Sequence, residues 1–254
     1  MKYILAIAAI GLFSSSASTD DFGFSMDHFA TLQYSSAHCA AYGCGKSGKS
    51  KATTRQASSL SAISSPLISA RSLVAQEASG PAPSLRYKAS STRQAHIVKQ
   101  WTQAIANSNK SDAHTVEAYF KQESPARIFK RIAGNYGLSG DDVADSMAGS
   151  LVLGWMISNG RDDVDRRAVQ AVRDDIARAL SANSDFRALN AAGRAELGYG
   201  FVTQFALMGG IWADMQQRGS SDLSAFSKGT ADFMKTYGFD MRNMDLGRNG
   251  FSYR

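Results

Sequence analysis

The sequence predicts an all-α fold, a bundle of six or seven helices from about residue 93 to the C-terminus, carried behind a leader and a Ser/Ala/Gly-rich basic segment. Three observations carry this. Beyond about Thr92, apolar residues recur at i, i+4, i+8, and strand-like alternation is missing. Helix start and stop signals punctuate the same region, at Ser124–Pro125 and at Asn159–Gly160. Ahead of it, composition shifts to small polar residues that cannot bury enough apolar surface to offset their ordering entropy.

The chain opens with Lys2, the apolar run Tyr3 to Phe13 and the small-residue stretch SSSAS. A basic start, a short apolar core and small residues at −3 and −1 (Ser15 and Ala17, or Ser16 and Ser18) read as a secretory signal peptide over residues 1–18. The protein is therefore expected to be exported, periplasmic or secreted. No lipoprotein anchor is expected, because neither cysteine follows the leader in the required pattern.

Residues 19–92 form the second region, expected to be low-complexity, basic and largely disordered. The first stretch, DFGFSMDHFATLQY, holds several aromatics that could dock on the folded part. From His38 to Gln100 there are nine Lys/Arg against the single Glu77, whereas the chain beyond Trp101 has balanced charge. The net +6 and pI of 9.3 thus describe a basic arm. In an envelope its anionic partners are lipid head groups, lipopolysaccharide or wall polymers, not nucleic acid. Pro66 interrupts any long helix within it. Cys39 and Cys44, the only two cysteines, would meet oxidising conditions after export. Four intervening residues allow a local disulfide if the chain turns at Tyr42–Gly43. With His38 they offer three ligands, one short of a structural zinc site, so no metal is expected.

Residues 93–254 are the helical domain. Ile97, Trp101 and Ile105 make the apolar stripe of the first helix; Val116, Tyr119 and Phe120 that of the second. Ser124 caps a third with Pro125 at its first position, and Ile128, Phe129 and Ile132 point inward. Ser139 is expected to open the fourth, with Asp142 three residues on, and Asn159–Gly160 to close it. Val164, Ala168, Val172, Ile176 and Leu180 share one face of a charged helix. Its pairs Asp162–Arg166, Asp163–Arg167 and Asp174–Arg178 have the supporting i,i+4 spacing, each worth about 0.2–0.5 kcal/mol. One long helix is expected from Phe186 to Gly219, nearly apolar between Leu197 and Ala213. That stretch falls short of the ~20 residues needed to span a bilayer, so it reads as a buried core helix and no transmembrane span is expected after leader cleavage. A last helix over SDLSAFSKGTADFMKTYG precedes a tail.

The conspicuous chemical motif is GCGKSGKS, which places Gly43, Gly48, Lys49 and Ser50 as in a phosphate-binding loop. Its context is wrong: SSAHCAAY is no buried strand and KATTRQASS has no apolar face. The match is read as compositional chance, and no cofactor is expected. None of the four histidines (His28, His38, His96, His114) stands four residues from another, and His96 is read as a half-buried packing residue. Paired-carboxylate chemistry needs only two acids about 5–10 Å apart, which leaves Glu117, Glu123 and Glu196 as candidates. Glu196, at the mouth of the apolar segment and near Arg194, is the foremost. Asp141, Asp142 and Asp145 are read as helix-capping acids.

The segment GLSGDDVADSMAGSLVLGWMISNG, the charged helix after it and the closing TYGFDMRNMDLGRNGF resemble a family of exported bacterial proteins classed only as a domain of unknown function. The carriers are Asp142-Val143-Ala144-Asp145, Trp155 with Asn159–Gly160, Gly238, and Gly250–Phe251, within roughly Ala95 to Phe251. The resemblance implies a leader, a variable linker and a helical domain, and supplies no catalytic residues. The function expected is a non-catalytic envelope protein that binds a partner through the helical domain. The alternative is a wall-acting hydrolase using Glu196 or Glu117 as its acid.

Overall fold

The computed structural model describes residues 82–254 apart from Asn109. The expected leader, Cys39 and Cys44, and the loop-like Gly43, Gly48, Lys49 and Ser50 lie outside the described residues. Among the described residues eight α-helices run in order: α1 (Ser91–Ser108), α2 (Lys110–Gln122), α3 (Pro125–Ala133), α4 (Val143–Ser158), α5 (Arg166–Ala182), α6 (Ser184–Ala188), α7 (Ala191–Gln217) and α8 (Leu223–Thr236). Short 3-10 turns cover Gly134–Tyr136 and Met241–Asn243, and the chain closes in a hairpin of β1 (Met244–Gly247) and β2 (Gly250–Tyr253).

The bundle is built around α4, all sixteen of whose residues are buried. Small residues make this packing tight. Gly149 lies under the Phe129–Phe205 edge-to-face pair, where a Cβ would stand 2.8 Å from Phe129. Two of its buried hydroxyls find acceptors, Ser146 on Asp142 O and Ser150 on Phe201 O, both at 2.8 Å. α7 packs most extensively on α4; α5 and α8 flank it, α3 lies on α7, and α1 bridges α2 and α7. α7 is thus the expected buried core helix, and among the described residues no helix is long and apolar enough to cross a membrane.

Several boundaries match the sequence reading. Ser124 caps α3 ahead of Pro125, and Asn159 with Gly160 (φ 59°) ends α4. Ala168, Val172, Ile176 and Leu180 form the buried face of α5, with Val164 half-buried just before it.

Others differ for physical reasons. α4 begins at Val143 rather than after Ser139, because Asp142 Oδ1 accepts the Ala144 and Asp145 N–H groups and so takes the cap. The expected long helix breaks at Leu189, where Asn190 caps α7 by accepting Gly193 N–H at 2.8 Å. Because α5 starts at Arg166, Asp162 and Asp163 stand outside it and cannot pair along a helix face; Arg178 pairs with Asp175 instead of Asp174. The tail is a hairpin, Leu246 opposite Phe251, turning through Arg248–Asn249. Packing also starts before residue 93: Leu85 and Tyr87 lie extended along Asp141–Val143.

Candidate functional site

The first polar constellation stands where α4 begins. Asp145 Oδ2 accepts Ser139 N–H and its Oδ1 accepts Arg173 Nε, both at 2.7 Å. Arg173 also reaches within 3.7 Å of Asp142. Both acids are buried, and burial raises the Asp145 carboxyl above its ordinary value against the lowering effect of Arg173 and Ser139. Asp141, more exposed, faces Arg86 at 3.6 Å and takes the Ser139 hydroxyl. Asp142 therefore caps α4, as expected, and Asp145 in its first turn ties it to Arg173 of α5, whereas Asp141, also expected to cap, pairs with Arg86 and Ser139 instead. Among the described residues no three His, Cys, Asp or Glu side chains converge as a metal site would need.

The second is an open cleft of about 90 Å³ between α2 and α7. By this measure about 10–15 Å³ is enough to admit one water. Val116, Leu207 and Ile211 make its apolar walls, while Thr115, Tyr119, Gln122 and Asp214 supply polar atoms. Gly210 makes room for the Tyr119 ring: a Cβ there would meet its Cζ and hydroxyl at 2.9 Å. Burial pushes the Tyr119 phenol up to about 12, so it stays protonated and able to donate at neutral pH. Asp214 is paired with Arg218 at the rim. An apolar cleft with a few convergent polar groups is the usual form of a binding site. By contrast, the cavity of about 30 Å³ among Ile132, Val152, Met156, Phe205 and Trp212 is walled by apolar atoms and is packing space.

The glutamates singled out in the sequence lie in separate places. Glu196, on α7, accepts Arg93 Nη1 at 2.7 Å with 23 % of its side chain exposed. Its partner comes from α1, while Arg194 donates to Leu189 O instead. Glu123 holds Arg131 through two bonds of 3.2 and 2.7 Å, and Glu117 is exposed on α2. His96 is exposed rather than half-buried, because it falls beside the Ile97–Trp101 stripe on the outer face of α1. The cleft itself was missed; its one sequence signal is Gly209–Gly210 inside a helix, where glycine weakens the helix unless a close neighbour requires it.

A family model described as a family of unknown function, DUF6683, matches residues 30–254. The chain belongs to the DUF6683 family. No curated protein and no solved structure matches it. The DUF6683 match takes in much of the basic segment together with the bundle. Within this DUF6683 chain, the residues that carried the resemblance lock the ends of α4. Trp155 Nε1 donates to Met244 O at 2.8 Å, and Asn159 Nδ2 to both Trp155 O and Met241 O at 2.9 Å. Gly238 (φ 86°) and Gly250 (φ 91°) supply the left-handed turns that bring the tail back to α4 and α5.

Proposed function

We propose that the protein is a non-catalytic binding protein of the bacterial envelope, which holds a protein partner by an aliphatic side chain seated in the α2/α7 cleft. The cleft carries this reading: it is open, side-chain-sized and apolar, with the Tyr119 hydroxyl placed to fix the orientation of what enters. A pocket of this kind, filled by one anchor residue and ringed by polar groups, is how protein interfaces concentrate binding energy. The glutamates fit the same picture, since Glu196 and Glu123 are engaged with Arg93 and Arg131. Export by residues 1–18 and attachment of the basic segment to anionic envelope polymers belong to the proposal, as does a Cys39–Cys44 bridge formed after export.

The test presents the full mature chain with envelope extract and, separately, with purified wall sacculi. The proposal expects one defined protein to be retained by the wild type and lost with Ala118→Trp, which fills the cleft from an exposed lining position. Release of soluble wall fragments, abolished by Glu196→Gln, would establish the hydrolase reading instead.

A further inference from the structure

We propose that Leu85–Tyr87 is a releasable plug seated in a tyrosine slot between α4 and α7, and that this slot recognises an extended Arg-Tyr segment. The inference stands apart from the α2/α7 cleft and does not depend on it.

The slot is shaped for one side chain. Its floor is Gly198 of α7, where a Cβ would lie 2.1 Å from Cε1 and 2.6 Å from Cζ of Tyr87. No other residue type leaves room for the ring. At the far end the Tyr87 hydroxyl donates to Gly140 O at 2.5 Å and lies 3.4 Å from the fully buried Ser146 Oγ. Burial moves the phenol well above its ordinary pKa, so it remains a neutral donor. The backbone is read as well: Tyr87 N–H donates to Asp141 O at 2.8 Å, and Leu85 O accepts Val143 N–H at 2.9 Å. Arg86, facing outward, meets the Asp141 carboxylate. Main-chain bonds that hold an extended segment, with alternate side chains sorted to a pocket and to a surface charge, are the logic of strand-addition peptide recognition.

The slot does not depend on its occupant. Asp142 caps α4 through its own side chain, Ser146 Oγ keeps its bond to Asp142 O, and Asp145 holds Ser139 and Arg173. Val143 N–H is a first-turn donor that water can satisfy. Around the plug Ser84, Arg86, Lys88 and Ser90 are exposed and Leu85 and Ala89 only partly buried, so Tyr87 is the one side chain that must leave the core for the segment to be released.

The test uses the full chain carrying Tyr87→Ala and a labelled peptide of residues 82–90, followed by fluorescence anisotropy. The peptide is expected to bind this variant at least tenfold more tightly than the wild type, whose slot is filled. A Phe-for-Tyr peptide should bind three- to tenfold more weakly, the worth of one hydrogen bond at 1.4 kcal/mol per decade. Adding Gly198→Ala should abolish binding. The proposal is overturned if the folded variant binds no better than wild type, if binding survives Gly198→Ala, or if emptying the slot unfolds the bundle. Hydrogen exchange on the wild type gives an independent reading. The Tyr87 and Val143 amides should exchange at least tenfold faster than the central α4 amides, and equal protection would overturn the plug.

Discussion

Gly198 and Gly200 lie two residues apart in α7, yet alanine should act in opposite directions at the two. At Gly198 the new methyl would overlap the rigid Tyr87 ring, 2.1 Å from its nearest atom, whereas at Gly200 nothing lies within 4 Å. Both positions are helical, so each alanine adds about 1 kcal/mol of helix propensity. At Gly200 that is the whole effect. At Gly198 it is set against ejection of a buried aromatic, about 3–5 kcal/mol on the scale of large-to-small core changes. The expected net losses and gains are therefore about 2–4 kcal/mol lost for Gly198→Ala and about 1 kcal/mol gained for Gly200→Ala. At roughly 2–4 °C per kcal/mol for a chain of this size, Gly200→Ala should raise Tm by about 2–4 °C and Gly198→Ala lower it by roughly 4–16 °C. Thermal unfolding of the full chain followed by far-UV circular dichroism reads both. Movement of the two variants in the same direction would refute the placement of Tyr87 over Gly198.

Further outcomes follow from contacts elsewhere in the bundle. Trp155→Phe removes the Nε1 donor to Met244 O and strands a buried carbonyl, which should cost about 1–3 kcal/mol by urea unfolding; no loss would place the tail elsewhere. Gly250→Ala forces φ 91° on an alanine and drives its methyl to 2.8 Å from Asp175 Oδ2, so a loss of about 1–3 kcal/mol is expected, against none if the hairpin does not pack on α5. Asp145 sets a pH dependence. Its folded pKa is raised, so its contribution to stability is present below the ordinary carboxylate range and is lost as pH rises through the raised value. In Tm measurements from pH 3 to 7, Asp145→Asn should therefore gain on the wild type as pH rises; a constant or opposite difference contradicts the burial argument.

The long, strongly patterned pieces were legible from the sequence because local physics decides them. Proline after Ser124 and the Asn159–Gly160 stop act within one turn, and the apolar face of α5 is a simple 3.6-residue repeat. The misplacements arise where two local signals compete. Ser139 and Asp142 both suit an N-cap, and tertiary packing chose Asp142 because Asp145 engages the Ser139 N–H. Leu189–Asn190 looks helical, yet Asn190 makes the better cap. The hairpin left little local signal, since its turn is Arg248–Asn249 rather than an Asn-Gly pair and four-residue strands are too short to show alternation. Long-range partners were beyond reach: Arg93 meets Glu196 across 103 positions, and Tyr87 lay within a segment whose composition argues against order. The α2/α7 cleft was hidden for the same reason, since Tyr119 and Gly210 become neighbours only when the helices pack.

The most direct test of the binding account is photo-crosslinking in the native envelope from an unnatural residue at Ala118, beside the cleft, with the exposed Arg178 of α5 as the control site. The account predicts one discrete protein adduct from position 118 and none from 178. Absence of an adduct at 118, or wall fragments released by the wild type and not by Glu196→Gln, would contradict it.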